Sequence, residues 1–235
     1  MSTTTKPAVG RATPALTSFA LKLTMAVTGW IFAAFVGIHM YGNLKAFVGA
    51  EAYNSYSFWL RHALYPLLPE EGLLWIMRVV LAIALVAHVG ASAILWARGR
   101  RFRGPHRRAS YGAWAARSMP WTGLFLLAFI VFHLLDLTLG IFGPATYQAA
   151  TATESFAYQN TVASLARPLA GAFYFLAMAA LAAHLAHGLW TTANDVGVTG
   201  RRARHTWKVI AYLLAAVIAA GNASLPIAIW LGVLS

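Results

Sequence analysis

Four histidines lie deep in apolar segments of the chain, where water does not solvate an imidazole. Neutral imidazole is a good ligand for transition metals, and a low-spin haem iron takes two of them as axial ligands. The chain has no cysteine, which excludes iron–sulfur clusters because these need thiolate ligands. Any metal cofactor is therefore held by histidine or methionine, and haem meets that requirement. The four candidate ligands are His39, His88, His133 and His184.

The segments around the first and third of these histidines repeat each other. VTGWIFAAFVGIHMYGN begins at Val27 and WTGLFLLAFIVFHLLDL begins at Trp121, and in each a histidine follows the Thr-Gly glycine by ten residues. The other two histidines each precede the first polar residue after their segment by ten residues. A lone intramembrane histidine usually serves helix packing. Four histidines in two matched halves favour two haem sites instead.

Long apolar helices are the elements that must position these residues. Hydrophobic residues make up 60% of the 235-residue chain and charged residues only 10%, which is too apolar for a soluble domain. About 20 apolar residues cross the hydrocarbon core as a helix, which satisfies its own backbone in lipid. We therefore expect a single all-α transmembrane domain whose first four helices form a haem-holding bundle. The expected spans are residues 19–47, 73–97, 119–142, 168–193 and 207–233.

The net charge of +12 follows the expected topology and does not indicate nucleic-acid binding. By the positive-inside rule, the two arginine-rich loops and the N-terminus are cytoplasmic, in a multi-pass protein of the cell membrane. The polar residues 1–16 are expected to form a cytoplasmic tail and not a cleaved signal peptide. The loop after the second span contains Arg98, Arg100, Arg101, Arg103, Arg107, Arg108 and Arg117. The loop after the fourth contains Arg201, Arg202, Arg204 and Lys208.

This topology places the histidines at two depths in the membrane. The first and third spans run outward and carry His39 and His133 near their outer ends. The second and fourth run inward and carry His88 and His184 toward their inner ends. We call the first two the outer pair and the last two the inner pair. From the helical rise, the pairs lie about 15 to 20 Å apart along the membrane normal, and each pair is predicted to bind one haem.

Five further residues are placed by the same helical counting. Thr28 and Thr122 lie eleven residues from the histidines of the outer pair, so they face the same way about 16 Å deeper, at the height of the inner pair. Gly29 and Gly123 beside them are expected to let a flat macrocycle approach the backbone. Arg78 falls at the height of the outer pair, where its cation can meet haem propionates.

At these residues the chain resembles the cytochrome b558-type membrane anchor of succinate dehydrogenases and fumarate reductases. That subunit is a single large anchor with five helices and two haems b. The resemblance covers all five spans, and its most specific parts are GIHMYGN, VFHLLDL and HLAHGLW. It implies that the inner pair ligates the proximal haem, that the outer pair ligates the distal haem, and that menaquinone reacts near the distal haem.

The resemblance also implies a respiratory complex with two soluble partners. A cytoplasmic flavoprotein with covalent FAD oxidises succinate or reduces fumarate, and an iron–sulfur subunit docks on the inner face of the anchor. FAD and the iron–sulfur clusters belong to those partners, so the anchor alone is not expected to act on succinate. Electrons then pass through the proximal and distal haems to menaquinone. Both physiological directions stay open.

One ligand assignment has an alternative in the same span. His187 lies three residues after His184 on nearly the same face, so it could ligate the haem instead. His184 is preferred because its distance from the inner boundary matches that of His88. His187 is then expected to contact a propionate or an inner quinone, or to pack against a neighbouring helix.

Acid–base residues are scarce near the predicted quinone site. Asp136 lies one turn beyond His133, and Asn43 lies one turn beyond His39. Both are expected at the outer edge of the distal haem. Asp136 is the candidate for quinone protonation, since an intramembrane carboxyl is costly unless it has a function. The alternative is an aspartate at a helix end that is hydrated at the interface.

Two other functions share parts of this pattern. Cytochrome b anchors of hydrogenases and formate dehydrogenases also hold two haems in four or five helices, but the duplicated Thr-Gly to His spacing favours the succinate dehydrogenase type. A proton-coupled transporter can use intramembrane His and Asp as a relay. Such transporters break their helices at the midplane, whereas Pro120 and Pro168 lie at span ends here and only Pro226 lies within a span.

Overall fold

The computed structural model describes residues 16–101, 111–195, 197, 198 and 200–235, and within these every regular element is helical. Five helices are long and apolar enough to cross a membrane. This confirms the predicted all-α multi-pass fold, while its inside–outside orientation stays a prediction. The seven α-helices are α1 (Ser18–Asn43), α2 (Ala50–His62), α3 (Gly72–Arg101), α4 (Tyr111–His133), α5 (Ala157–Ala166), α6 (Pro168–Asp195) and α7 (Arg201–Trp230), of which α1, α3, α4, α6 and α7 are the spanning ones.

The first spanning helix has clear sequence signals at both ends. Thr17 Oγ1 accepts a hydrogen bond from the Ala20 N–H at 3.1 Å and caps the start of α1. A short 3₁₀ turn, Leu44–Phe47, follows the end of α1. Gly49 then adopts a φ of 131°, which is accessible to glycine but strained for other residues. That turn redirects the chain into α2, which lies in the connection between the spanning helices α1 and α3.

The short helix α5 was not anticipated from the sequence. It lies in the connection between α4 and α6 and packs against α2, α6 and α7. Its buried face is mostly polar, since Asn160, Thr161 and Ser164 are buried there together with Leu165. A search for long apolar runs does not detect such a helix, because α5 is neither long nor apolar on the side that it buries.

The spanning helices pack in a row, α3–α1–α6–α4, with α7 against α6 and α1. Small side chains allow this close approach, since Ala177, Ala211 and Ala215 are completely or almost completely buried between α6 and its neighbours. Among the described residues, α1 with α4 and α3 with α6 are not closely packed pairs. The partner histidines lie on these two separated pairs of helices, so imidazole side chains bridge helices whose backbones stay apart.

Side-chain contacts show which helix ends share a face of the bundle. Arg98 donates to Ser18 Oγ at 3.2 Å, and Lys22 forms an ion pair of 2.9 Å with Asp195. The start of α1 and the ends of α3 and α6 therefore lie at the same end of the bundle. The first two spans thus run antiparallel, as do α1 and α6, which is the arrangement that the depth argument requires.

Candidate functional site

The two histidines of the outer pair face each other across the bundle. His39 lies on α1 and His133 at the end of α4, with ring centroids 5.8 Å apart. Each ring stacks on a phenylalanine one turn earlier in its own helix, at 5.5 Å for Phe35 and 5.8 Å for Phe129. Residues four apart lie on the same helical face, so these phenylalanines limit the rotation of both imidazoles.

The inner pair repeats this arrangement on the other two helices. His88 lies on α3 and His184 on α6, with ring centroids 6.4 Å apart. Two metal–imidazole bonds of about 2 Å each place the centroids of two axial rings roughly 6 Å apart. Both pairs are therefore spaced as two axial ligands of one metal require.

Threonines fix the orientation of both inner imidazoles. Thr28 Oγ1 lies 2.9 Å from Nδ1 of His88, and Thr122 Oγ1 lies 3.0 Å from Nδ1 of His184. Each hydroxyl donates its single hydrogen to the carbonyl one turn earlier in its own helix, at 2.7 and 3.0 Å. Each oxygen must then accept from the histidine, so Nδ1 carries the proton. This tautomer leaves the Nε2 lone pair of both rings available to a metal.

The glycines beside these threonines give room to the imidazoles of the neighbouring helix. A Cβ at Gly29 would lie 3.7 Å from Cε1 of His88, and one at Gly123 would lie 3.3 Å from Cε1 of His184. The Thr-Gly motif thus provides both a hydrogen-bond acceptor and a gap for the same ring. Helical counting predicted the height of the motif, but it predicted that a macrocycle, and not a histidine ring, lies beside each glycine.

Two axial donors per site suit an iron whose remaining ligands come from a porphyrin. A protein-bound metal without such a macrocycle usually needs three or four protein ligands. Within the described ranges, no group of three or more His, Cys, Asp or Glu side chains is placed to provide them. The donor set therefore fits haem in number and spacing, and at the inner pair also in protonation.

The structure also bears on the alternative ligand in α6. The His187 ring contacts Trp190 at 5.8 Å, whereas the His184 ring lies opposite His88. The contacts thus favour His184 as the partner of His88. His187 is partly exposed beside this pair.

Two other predicted residues have partners that lie on neighbouring elements. Arg78 forms an ion pair with Glu71 at 3.1 Å and lies over the Trp75 ring. Asn43 donates to Asn222 Oδ1 of α7 at 3.0 Å and accepts from the Tyr53 hydroxyl at 3.2 Å. Their predicted contacts with a haem stay predictions.

Asp136 lies in a sealed polar cluster and not at a hydrated helix end. The chain continues after His133 as a π-helical turn, Leu134–Thr138, and Asp136 lies within it. Its side chain is 0% exposed and forms an ion pair with Arg167. It also accepts hydrogen bonds from Ser164 and, at 3.0 Å, from the Tyr174 hydroxyl. The hydrated-aspartate alternative is therefore wrong, and the proton-transfer role stays a prediction.

Sequence reasoning missed three members of this cluster: Ser164, Arg167 and Tyr174. A signal for one of them was present, because Tyr174 precedes His184 by the same ten residues that separate Arg78 from His88. Arg167 offered another signal, since it is the only Lys or Arg between residues 118 and 200.

Basic side chains cover the end of the bundle near the inner pair. At the end of α3 and the start of α7 they project into solvent, which leaves them accessible to a soluble partner. The exposed ones are Arg100, Arg101, Arg117, Arg201, Arg202, Arg204 and Lys208, whereas Arg98 is half-buried. Three other predicted members of this basic surface, Arg103, Arg107 and Arg108, lie outside the described residues.

Comparison with known proteins gave one match. A family model described as succinate dehydrogenase/fumarate reductase transmembrane subunit matches residues 97–222, more than half of the chain. The matched segment contains His133 and His184 together with the cluster around Asp136. No curated protein and no solved structure matched.

Proposed function

Because the chain belongs to the succinate dehydrogenase/fumarate reductase transmembrane subunit family, we propose that it is the dihaem b anchor of a succinate:quinone oxidoreductase. In this role it connects a cytoplasmic iron–sulfur subunit to menaquinone in the membrane. The family implies other subunits in a membrane complex, and the flavoprotein, the iron–sulfur subunit and the quinone are the proposed partners of this chain.

The observation that carries the proposal is the presence of two facing histidine pairs on two different pairs of helices of one bundle. When bound, haem supplies reversible one-electron redox chemistry. The protein's contribution is to hold the axial rings. His88 and His184 present Nε2 because Thr28 and Thr122 hold their Nδ1 protons, and packing against phenylalanine limits the rotation of the outer rings.

The exposed basic surface supports the proposed docking of the soluble subunits. The side chains at the end of α3 and the start of α7 surround the end of the bundle where the inner pair lies closest to water. Arg100 also stacks over Trp96 at 4.9 Å, which limits its movement. A positively charged surface of this kind is complementary to an acidic face of a soluble protein.

At the other end of the bundle, menaquinone is proposed to react near the outer pair. Asp136 is the carboxyl that lies nearest to His133 along the helix, and its predicted role is to donate a proton to the quinone. Arg167 holds that carboxyl in an ion pair. Proton donation from Asp136 therefore requires Arg167 to release it.

The proposal is tested by haem quantification on the purified chain and on single-histidine variants. Two haems b per chain are expected, and His133→Ala and His88→Ala should each remove a different spectral component. His62→Ala is the matched control. His62 is the last residue of α2, outside the spanning helices, and its Nδ1 hydrogen-bonds the Phe58 carbonyl oxygen at 3.0 Å. A colourless protein contradicts the proposal, and loss of the same component in both variants contradicts the pairing.

In the assembled complex the two variants should also differ in electron delivery. With His133→Ala the haem at the inner pair should still be reduced by succinate, while quinone reduction collapses. With His88→Ala the haem at the outer pair should be reduced slowly or not at all. If His187→Ala removes a haem that His184→Ala spares, the ligand assignment in α6 is wrong.

A further inference from the structure

The imidazole of His133 is connected to a buried carboxylate through a single tyrosine. The Tyr174 hydroxyl lies 3.2 Å from Nδ1 of His133 and 3.0 Å from Oδ2 of Asp136. A carboxylate only accepts hydrogen bonds, so the phenol donates its one hydrogen to Asp136. The phenol oxygen must then accept from His133, which places the proton on Nδ1 and leaves Nε2 free.

The charges in this cluster are arranged with the negative end toward the histidine. Asp136 is 0% exposed and uses Oδ2 for Tyr174 and Ser164 and Oδ1 for Arg167. The Arg167 side chain is 35% exposed and also donates to the Phe142 carbonyl at 2.7 Å. The anion therefore lies between the tyrosine and the cation, and its side chain is closed to bulk solvent, which screens its charge less.

Among the described residues, the hydrogen-bond partners of the inner pair carry no equivalent charge. Thr28 and Thr122 are neutral acceptors, and their own hydrogens go to backbone carbonyls. A carboxylate behind a metal-bound imidazole makes that ring a stronger donor, and it stabilises the more positive oxidation state of the metal. The two histidine pairs thus differ in electrostatics although their ring spacings are similar.

We propose that Tyr174 and Asp136 are positioning residues that hold the His133 tautomer and lower the reduction potential of the haem at the outer pair. The inference rests on the proposed function, in which His133 ligates that haem. The carboxylate acts through the phenol as a fixed charge, and Arg167 forms an ion pair with it on the side away from the histidine. In this account Asp136 sets the driving force for electron transfer, a role separate from the proton donation proposed for it above.

The decisive variant is Tyr174→Phe, which removes the hydroxyl and keeps the ring. Redox titration of the purified complex should show that the reduction potential of the outer haem rises and that the reduction potential of the inner haem is unchanged. Tyr53→Phe is the matched control. It also removes a buried hydroxyl, but that hydroxyl bonds Asn43 and Thr161 instead of a histidine. Its outer component should titrate as in the unaltered protein.

Asp136→Asn provides a second, independent measurement. It neutralises the carboxylate and leaves the Arg167 cation unbalanced, so the upward shift should be larger than with Tyr174→Phe. If Tyr174→Phe fails to retain the outer haem, this second titration decides the question.

Unchanged potentials in both variants overturn the inference. Slower quinone turnover at an unchanged potential also overturns it, and favours Asp136 as the proton donor. A shift of equal size in Tyr53→Phe means that any buried hydroxyl at this end has the same effect, which again rejects the specific role. If the unaltered chain contains no haem, the proposed function fails first, and that result is separate from these.

Discussion

Replacing Gly123 with alanine tests what the Thr-Gly glycines do. A Cβ at Gly123 meets Cε1 of His184 at 3.3 Å, whereas a Cβ at Gly29 meets Cε1 of His88 at 3.7 Å. Carbon atoms pack best at about 3.5 to 4.0 Å, so only the first alanine presses on its histidine. The His184 ring is held by Thr122 at 3.0 Å and cannot move aside freely. We expect Gly123→Ala to tilt this ring and Gly29→Ala to leave His88 in place.

The expected change in haem retention is estimated from two opposing free-energy contributions. Inserting a methyl group into a packed interior costs about 1 to 3 kcal/mol, and glycine-to-alanine replacement in a helix returns roughly 1 kcal/mol. The helical gain is common to both variants, while only Gly123→Ala has the steric cost, which acts on a metal ligand. A net loss of about 1.4 kcal/mol corresponds to a tenfold change in affinity. We therefore expect haem retention at the inner pair to weaken about tenfold in Gly123→Ala and less than about twofold in Gly29→Ala.

Haem transfer to excess apomyoglobin measures this retention for each spectral component. Gly90→Ala is the control, since Gly90 lies in α3 near His88 and a Cβ there meets no atom within 4 Å. Equal loss in Gly29→Ala and Gly123→Ala would show that the glycines admit the macrocycle, as the sequence alone suggested. Unchanged retention in Gly123→Ala would refute the contact argument itself.

Three further predictions address the threonines, the buried carboxyl and the basic surface. Thr122→Val leaves a buried N–H without an acceptor, which costs about 1 to 3 kcal/mol, so the inner haem should transfer faster than in the matched variant Thr122→Ser. Asp136→Asn should slow quinone turnover while both haems stay bound, measured on one sample; loss of haem with activity would make the residue structural, and normal activity would remove it from the proton path. Neutralising Arg100, Arg101 and Arg103 together should weaken retention of the soluble subunits as salt rises, because exposed charges are screened; unchanged co-purification across a salt series would count against this.

Regularities along single helices were sufficient to predict the fold and the histidine layers. Apolar length identified five spans, because lipid requires about 20 residues per crossing. The 1.5 Å rise per residue then placed each histidine at a depth, and the structure has the same histidines side by side, at 5.8 and 6.4 Å. Both arguments use distances along one helix axis, which the sequence determines directly.

Contacts between helices could not be predicted in the same way. Helical counting gives the face of a residue but not the neighbour that it meets. Thr28 was placed correctly in height, yet its partner is an imidazole of α3. Asn43 meets Asn222 of α7, and Arg78 meets Glu71 from the preceding connection. Each partner is determined by the packing order of the helices, which no single span encodes.

The local backbone at Asp136 could not be predicted from the sequence either. The prediction assumed that the α-helix continues past His133, but a π-helical turn begins at Leu134. Its Leu139 N–H bonds the Leu134 carbonyl at 2.9 Å, five residues back. A π turn has a backbone cost that tertiary contacts must offset, and the ion pair with Arg167 is such a contact. Arg167 lies in a different helix connection, so the apolar pattern around Asp136 contained no sign of the turn.

The internal repeat shows where the two halves of the chain have diverged. At the inner pair both halves have the same arrangement, in which Thr28 and Thr122 each form a hydrogen bond with a histidine of the neighbouring helix. At the height of the outer pair the equivalent positions differ, since Arg78 in one half corresponds to Tyr174 in the other. The arginine pairs with a surface carboxylate, while the tyrosine connects a histidine to buried Asp136. The two halves are therefore alike at the inner pair, where the threonines orient both histidines. They differ at the outer pair, where one histidine is connected to the buried carboxylate of Asp136.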